Sequence, residues 1–341
     1  MHKYILLGSI LISHLSFSQT NDSIRTFIDK SFDLIESNSI NTQNIDSIKN
    51  WLYTESQKLT SIDDIAPLYE EVFKRLNDHH GNLKYKGKTY GWHVPLKIEN
   101  TYIKSRLKNE RSVVSTVLNG EFGYIRIPGN NDFAFKKVDS IASDIVAHIN
   151  MVNSAEVKGW IIDLRLNTGG NMYPILLGLK DFIGDEVVFG GFRNSKDESS
   201  GKWEITDSKM LIDGIELTQK SHVDRPIPIT TPLVILTSTC TASAGELTAI
   251  SLIGRPYTTI IGEPTANYTT AVQGFKINEY AGINLSTDYV ADRNNKVYKS
   301  SIVPDLEVIG GDDLGDMLKD EKINRALEFL RRQLDNSVHT P

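Results

Sequence analysis

The sequence predicts an α/β fold whose core sheet is mostly parallel, and three observations carry that expectation. Strand-like apolar runs alternate with helix-period segments along residues 123–261, as in chains built of successive β–α units. The runs are almost continuously apolar, which is the signature of strands covered on both faces. Gly254 and Pro256 close the last helical segment, a usual stop signal. Gly123–Ile127 is the first strand, and Val138, Ile141, Ile145 and Ile149 then mark one face of a helix. Trp160–Leu164 is the second strand, followed by a helix over 175–183. After an insertion rich in Gly, Asp and Lys (184–231) come a strand over 233–237, a helix over 244–253 and a strand over 257–261. Sites in such sheets lie at the carboxyl ends of strands.

The flanks differ in pattern. Ile24, Phe27, Ile28 and Phe32 recur at helical spacing, as do Ile65, Leu68, Tyr69, Val72 and Leu76, so 19–90 reads as an N-terminal helical cap. Asn and Ser around 37–43 mark a helix–helix connection. Short β-like stretches occupy 92–98 and 112–118. Leu314, Met317, Leu318, Ile323, Leu327 and Leu330 predict a closing helix within 313–341. The expected division is therefore a leader (1–18), a cap (19–90), a core (91–312) and a C-terminal helix with tail (313–341).

Composition narrows the function classes. With 341 residues, 40% hydrophobic and 23% charged, the chain is an ordinary globular protein of one large or two smaller domains. Its net charge is −6, with no basic block or basic–aromatic stripe, so no nucleic-acid partner is expected. His2 and Lys3 precede an apolar run, Tyr4–Leu15, too short for a membrane span, and Ser16 and Ser18 flank Phe17. This predicts a secretory leader cleaved between Ser18 and Gln19 and a periplasmic or extracellular destination, with no stable span in the mature chain. A buried N-terminal helix is the other reading. No cysteine lies near the cut, so no lipid anchor is expected. Cys240 is the sole cysteine and offers no intramolecular disulfide or multi-cysteine zinc site. There is no His-Glu-x-x-His, and no metal or other cofactor is expected.

Three segments carry chemistry. Thr241-Ala242-Ser243-Ala244-Gly245-Glu246 joins a strand to a helix. A serine between small residues there projects its hydroxyl uncovered, and the first helical turn has unpaired N–H groups for an anion. Ser243 then reads as a nucleophile with an oxyanion donor at Ala244, or else as a plain N-cap with Glu246 closing a capping box. Cys240 is a rival nucleophile or a small buried residue at the strand end. Asp163-Leu164-Arg165-Leu166-Asn167-Thr168-Gly169-Gly170-Asn171 ends the second strand. Its paired glycines permit close backbone approach to a ligand, or form a simple turn that Asp163 and Arg165 brace. Leu76-Asn77-Asp78-His79-His80-Gly81 offers a histidine as general base, or a solvated helix end.

Together these segments resemble the tail-specific (C-terminal processing) serine peptidase family, on the branch related to the tricorn protease core. The order Leu-x-Asp-x-His, Asp-Leu-Arg-x-Asn-x-Gly-Gly, Thr-Ala-Ser-Ala-x-Glu matches, as do Ile261-Gly262-Glu263-Pro264-Thr265 and Ile302-Val303-Pro304-Asp305, over about residues 70–308. The resemblance implies a crotonase-like α/β superhelical core rather than a simple doubly wound sheet. It implies Ser243 as nucleophile, His80 as general base, and the backbone of Gly169, Gly170 and Ala244 as the oxyanion hole. His79 fills a position often held by glycine. Two positions depart from the family. Tyr268 stands where the processing branch carries a lysine, and Tyr298 where the tricorn-like branch carries a glutamate. Asp292 is the nearest acid that would orient the histidine in its place, and a tyrosine hydroxyl or a water is the alternative. Residues 84–122 are too few for a PDZ module. A secreted serine peptidase acting on a peptide or protein substrate is the leading expectation. A catalytically inactive protein binding a peptide or apolar ligand on the same scaffold is the alternative. An acyl-CoA enzyme of the crotonase kind is a third reading, which the leader argues against.

Overall fold

The computed structural model describes residues 22–95, 99–218 and 220–338. The leader read over 1–18 lies outside the described residues, among which no helix is long and apolar enough to cross a membrane. The chain divides into two compact units, Met1–Pro95 with Thr270–Asp288, and Leu96–Thr269 with Tyr289–Pro341.

The first unit opens with α1 (22–38), α2 (Ile45–Ser56), α3 (Ile62–Ile65), a 3-10 turn (Ala66–Leu68) and α4 (Tyr69–Arg75). Ser61 caps α3 by accepting the Asp64 N–H. Strands β1 (Asn82–Tyr85) and β2 (Lys88–Gly91) follow as a hairpin. Its two-residue turn holds Lys86 and Gly87 at φ +46° and +77°, the left-handed pair that tight hairpins need.

The second unit then begins with α5 (Thr101–Arg106), β3 (Val114–Leu118), β4 (Phe122–Arg126), α6 (Val138–Val152) and β5 (Gly159–Asp163). Next come α7 (Tyr173–Gly178), α8 (Lys180–Ile183) and an antiparallel meander of β6 (Val187–Arg193), β7 (Ser199–Thr206), β8 (Lys209–Ile212) and β9 (Ile215–Leu217). Strand β10 (Leu233–Thr237), helix α9 (Ala244–Leu252) and β11 (Thr258–Gly262) complete the β–α pattern. Two strands, β12 (Ala271–Lys276) and β13 (Ala281–Asp292), take the chain into the first unit and back. The end of β13, then β14 (Val297–Tyr298), β15 (Leu306–Glu307) and α10 (Glu321–Val338) belong to the second.

In the second unit a six-stranded sheet runs β15-β11-β10-β5-β4-β3, parallel throughout except for the β3–β4 pair. Alternation within its strands explains their unbroken apolar character. Trp160, Ile162, Leu233 and Ile235 pack with residues of α6, α7, α8 and α9. Ile161, Val234 and Leu236 point the other way, onto Ile323, Ala326, Leu327 and Leu330 of α10. Full burial of each such side chain contributes roughly 1.5–3 kcal/mol.

Several expectations are corrected. The region read as an N-terminal helical cap over 19–90 ends in the β1–β2 hairpin, and its compact unit also takes in 270–288, which had been placed in the core. In the first unit β1 and β12 both pair antiparallel with β13. Leu83, Tyr85, Ile283 and Leu285 face Phe27, Phe32, Tyr69 and Phe73 of the helices. Of the β-like stretch read over 92–98, residues 92–95 are irregular and 96–98 lie outside the described residues. Within the insertion read over 184–231, Phe189, Trp203 and Met210 are buried in the main core. The last helix begins at Glu321, so Leu314, Met317 and Leu318 precede it, and Leu318 is exposed.

Candidate active site

The carboxyl ends of β5 and β10 bring two of the singled-out segments together. Ser243 closes the β10–α9 loop with φ +50° and ψ −116°, a conformation that a residue with a side chain adopts only under strain of about 1–3 kcal/mol. The surroundings hold it there. The Ala242 N–H donates to the Asn167 carbonyl (2.9 Å), and the Thr241 hydroxyl donates to the Leu164 carbonyl (2.9 Å). Behind the serine, the Glu246 carboxylate accepts the N–H groups of Ser243 (2.9 Å), Asn267 (3.1 Å) and Tyr268 (2.7 Å) and the Thr265 hydroxyl. Burial pushes this carboxyl up to about 7, against the pull of those four donors. Ser243 itself stays half-buried, with Ala244 covered beneath it.

The glycine turn lies against this serine. Gly169 and Gly170 have φ +110° and +114°. A Cβ on Gly169 would stand 3.0 Å from the Ser243 Cβ, and one on Gly170 only 1.8 Å from the Asn130 carbonyl oxygen. Two asparagines fix the turn. Asn167 Oδ1 accepts the Gly169 N–H (3.1 Å), and its Nδ2 donates to the Ile127 carbonyl (3.2 Å). Asn130 accepts the Asn171 N–H through Oδ1 (3.2 Å), donates from Nδ2 to the Asn171 carbonyl (2.8 Å), and donates its own N–H to the Gly169 carbonyl (3.1 Å). The Gly169 N–H is engaged, whereas those of Gly170 and Ala244 have no hydrogen-bond partner among the described residues. Gly170→Ala should distort this turn and lower Tm, because the added Cβ would meet the Asn130 carbonyl. An unchanged Tm would show that the turn yields without consequence.

His80 is set by a separate group of residues in the first unit. The Asp78 carboxylate accepts the N–H groups of His80 (3.2 Å), Gly81 (2.8 Å) and Ser286 (3.2 Å) and the Ser286 hydroxyl (2.7 Å). The His80 Nδ1 meets the Thr270 hydroxyl at 2.9 Å, and that hydroxyl meets Ser286 Oγ at 3.1 Å. Desolvation pushes the His80 imidazole down to about 4, aided by His79 and opposed by Asp78 and by a hydrogen bond to the Thr270 backbone. His80 keeps partial exposure, which moderates this, and the ring is neutral at pH 7. His79 instead stacks edge-on against Trp92 at 6.2 Å.

The model of peptidase family S41 matches residues 121–308. The chain belongs to peptidase family S41. It is 30% identical over 173 residues to a nisin-resistance protein of Lactococcus lactis subsp. lactis, covering 50% of this chain and 52% of that protein. It is 25% identical over 187 residues to carboxyl-terminal-processing peptidase 1, chloroplastic, of Arabidopsis thaliana, covering 54% and 33%. The match thus spans about half of the first relative and a third of the second. Among solved structures, a lipoprotein from Streptococcus agalactiae is similar with a TM-score of 0.64 at 21% identity, covering 91% of this chain and 96% of that one. The photosystem II D1 C-terminal processing protease is similar with a TM-score of 0.54 at 13% identity, covering 88% and 96%. These two likenesses are of fold.

Within this S41 chain the remaining motif residues are chiefly braces. Glu263 accepts from Asn100 (2.8 Å), Lys322 (3.1 Å) and the N–H groups of Thr239 (3.0 Å) and Gly310 (2.9 Å). Asp305 accepts the Ile260 N–H (2.8 Å) on β11. Asp292, expected to orient His80, is committed elsewhere. One of its oxygens accepts the Asn294 (2.8 Å) and Lys296 (3.1 Å) N–H groups of the turn after β13, and the other accepts the Tyr298 hydroxyl (2.9 Å). The contact to His80 Nδ1 comes from Thr270, a neutral residue that a search for acids passes over. Tyr268 lends its N–H to Glu246, and its burial raises the phenol pKa. The Cys240 thiol is pushed up to about 11 by burial, so it stays protonated at pH 7 and loses its standing as a rival nucleophile. No group of metal-binding side chains occurs among the described residues.

Proposed function

We propose that this chain is an exported serine peptidase with a crotonase-like core that hydrolyses peptide bonds. Ser243 attacks the carbonyl carbon, His80 takes the serine proton and returns it to the leaving amine, and the N–H groups of Gly170 and Ala244 hold the oxyanion. The observation that carries this reading is the strained, half-buried Ser243 pressed against the Gly169–Gly170 turn. Each oxyanion donor contributes about 3–4 kcal/mol to transition-state stabilisation. The pairing of Ser243 with His80 rests on the order of the family's motifs. Export rests on the composition of residues 1–18, with cleavage between Ser18 and Gln19.

A non-catalytic peptide-binding protein is the second reading, favoured by Tyr268 and Tyr298 at the two family positions for Lys and Glu. The two readings separate on incubation of the protein with a proteome-derived peptide mixture at pH 7. New peptide termini detected by mass spectrometry support the peptidase. Peptides retained but uncut support the binding protein.

The pH profile follows from His80. Only the neutral imidazole accepts a proton, and desolvation places its pKa below the ordinary 6.5, towards about 4. The acid limb of kcat/KM should therefore lie below pH 6.5, with a plateau reached by neutrality. A limb centred above 6.5 would contradict the assignment of a desolvated base.

A further inference from the structure

We propose that Thr270 and Ser286 form a hydroxyl relay from Asp78 to His80 that fixes the tautomer and orientation of the imidazole. The catalytic meaning of this inference rests on the Ser243–His80 reading above, but its geometry lies wholly within the first unit.

The direction of every hydrogen bond in the chain follows from its acidic end. The Asp78 carboxylate has only acceptors to offer, and it already takes the N–H groups of His80, Gly81 and Ser286. The Ser286 hydroxyl therefore spends its one proton on Asp78 Oδ1, at 2.7 Å. Its oxygen is then left to accept across the 3.1 Å contact from Thr270. With its proton directed to Ser286, the Thr270 oxygen accepts in turn, and at 2.9 Å its partner is His80 Nδ1. That nitrogen must carry a hydrogen. In a neutral imidazole the lone pair then sits on Nε2, which is the tautomer a general base facing a serine requires. The relay does with two hydroxyls what a carboxylate in direct contact does elsewhere.

The arrangement is built rather than incidental. Ser286 and Asp78 are 1% and 2% exposed, so water does not compete for the bond between them, while the two Thr270 contacts are half-buried. Ser286 sits on β13 opposite Val272 of β12, and Thr270 immediately precedes β12. Asp78 closes the turn after α4, donating its own N–H to the Phe73 carbonyl (3.0 Å). Three segments distant in sequence thus meet at one imidazole edge. Thr270 and Ser286 touch no reacting atom and act through His80, so they are positioning residues.

Two measurements test this. In the first, Thr270→Val removes the hydroxyl while keeping the shape, and Thr270→Ser keeps the hydroxyl. For a peptide that the wild type cleaves, T270V should lower kcat about 10–100-fold, the usual effect of losing an orienting partner, with KM within about twofold. Removing the hydroxyl that accepts from Nδ1–H withdraws a hydrogen bond from the imidazolium, so the acid limb should move to lower pH. T270S should restore kcat to within a few-fold. Wild-type kcat and an unmoved limb in T270V would overturn the relay. The second measurement needs no turnover. Long-range 15N–1H correlation of the full-length protein at pH 7, with His80 assigned by the signal missing in His80→Ala, should show hydrogen on Nδ1. Hydrogen on Nε2 would overturn the relay. A wild type that cleaves nothing yet shows the Nδ1 hydrogen would leave the relay standing and sink the peptidase reading alone.

Discussion

Ser243→Ala should lower kcat/KM for peptide cleavage by about 10⁴-fold or more while leaving the fold intact. The serine is half-buried, and the Cβ that packs against the Gly169 turn is kept by alanine. The bonds that shape the loop run mainly through backbone groups of Ala242, Ser243 and Gly245, and through Thr241, which the substitution leaves in place; it removes only the Ser243 side-chain half of the capping box with Glu246, a loss of about 1 kcal/mol. Alanine at φ +50° is strained as serine is, so thermal unfolding should shift little. What disappears is the nucleophile, and residual hydrolysis would reflect only binding and the oxyanion donors. A variant with a wild-type Tm and wild-type turnover would remove Ser243 from the chemistry.

Arg165→Ala should destabilise the second unit by about 3–5 kcal/mol, the cost of stripping one partner from a buried ion network. The guanidinium is fully buried and uses its fork in two directions. It donates to Asp163 from Nε (3.0 and 3.1 Å) and Nη2 (2.7 Å), and from Nη1 to Asp312 and Asp320, both at 2.7 Å. Burial alone would raise the Asp163 carboxyl, but Arg165 beside it outweighs this and holds it below the usual carboxylate range. Removing the arginine leaves three carboxylates underground. Lys322 reaches only Asp312 among them (2.7 Å), and Tyr124 adds a single bond to Asp163 (2.7 Å). Lysine in its place would not restore the fork. The same residue links α10 and the 309–313 loop to the end of β5, so activity should fall together with stability. Denaturant unfolding measures this, and a loss under about 1 kcal/mol would mean that the network is worth little more than a surface pair.

Much of the parallel sheet was legible because strands buried on both faces must be apolar at every position. Trp160-Ile161-Ile162 and Leu233-Val234-Ile235-Leu236 feed two cores, one on each side. The β1–β2 hairpin was legible too, since Leu83, Tyr85 and Tyr90 alternate with lysines around Lys86-Gly87. The helical period upstream drew the reading over it. The excursion at 270–288 was not legible. It exists because β13 pairs with β1, about 200 positions away, and no local pattern announces such a partner.

The site divides along the same line. Ser243, Gly169 and Gly170 stood out because positive φ selects small residues within short motifs. Asn130, Thr270 and Ser286 belong to no motif and matter only through where the fold puts them. Asp292 attracted attention as the nearest acid, yet its oxygens were needed by its own turn. Asp312 and Asp320 were invisible as partners of Arg165 because nothing in the sequence around them marks a buried ion pair.

The central claim is that Ser243 is an activated nucleophile. Intact-mass analysis after treating wild type, Ser243→Ala and His80→Ala with a fluorophosphonate probe tests it most directly. The account predicts one adduct on the wild type at pH 7, absent from Ser243→Ala and strongly slowed in His80→Ala. A folded wild type that takes up no probe, or a Ser243→Ala variant that labels as the wild type does, would contradict it.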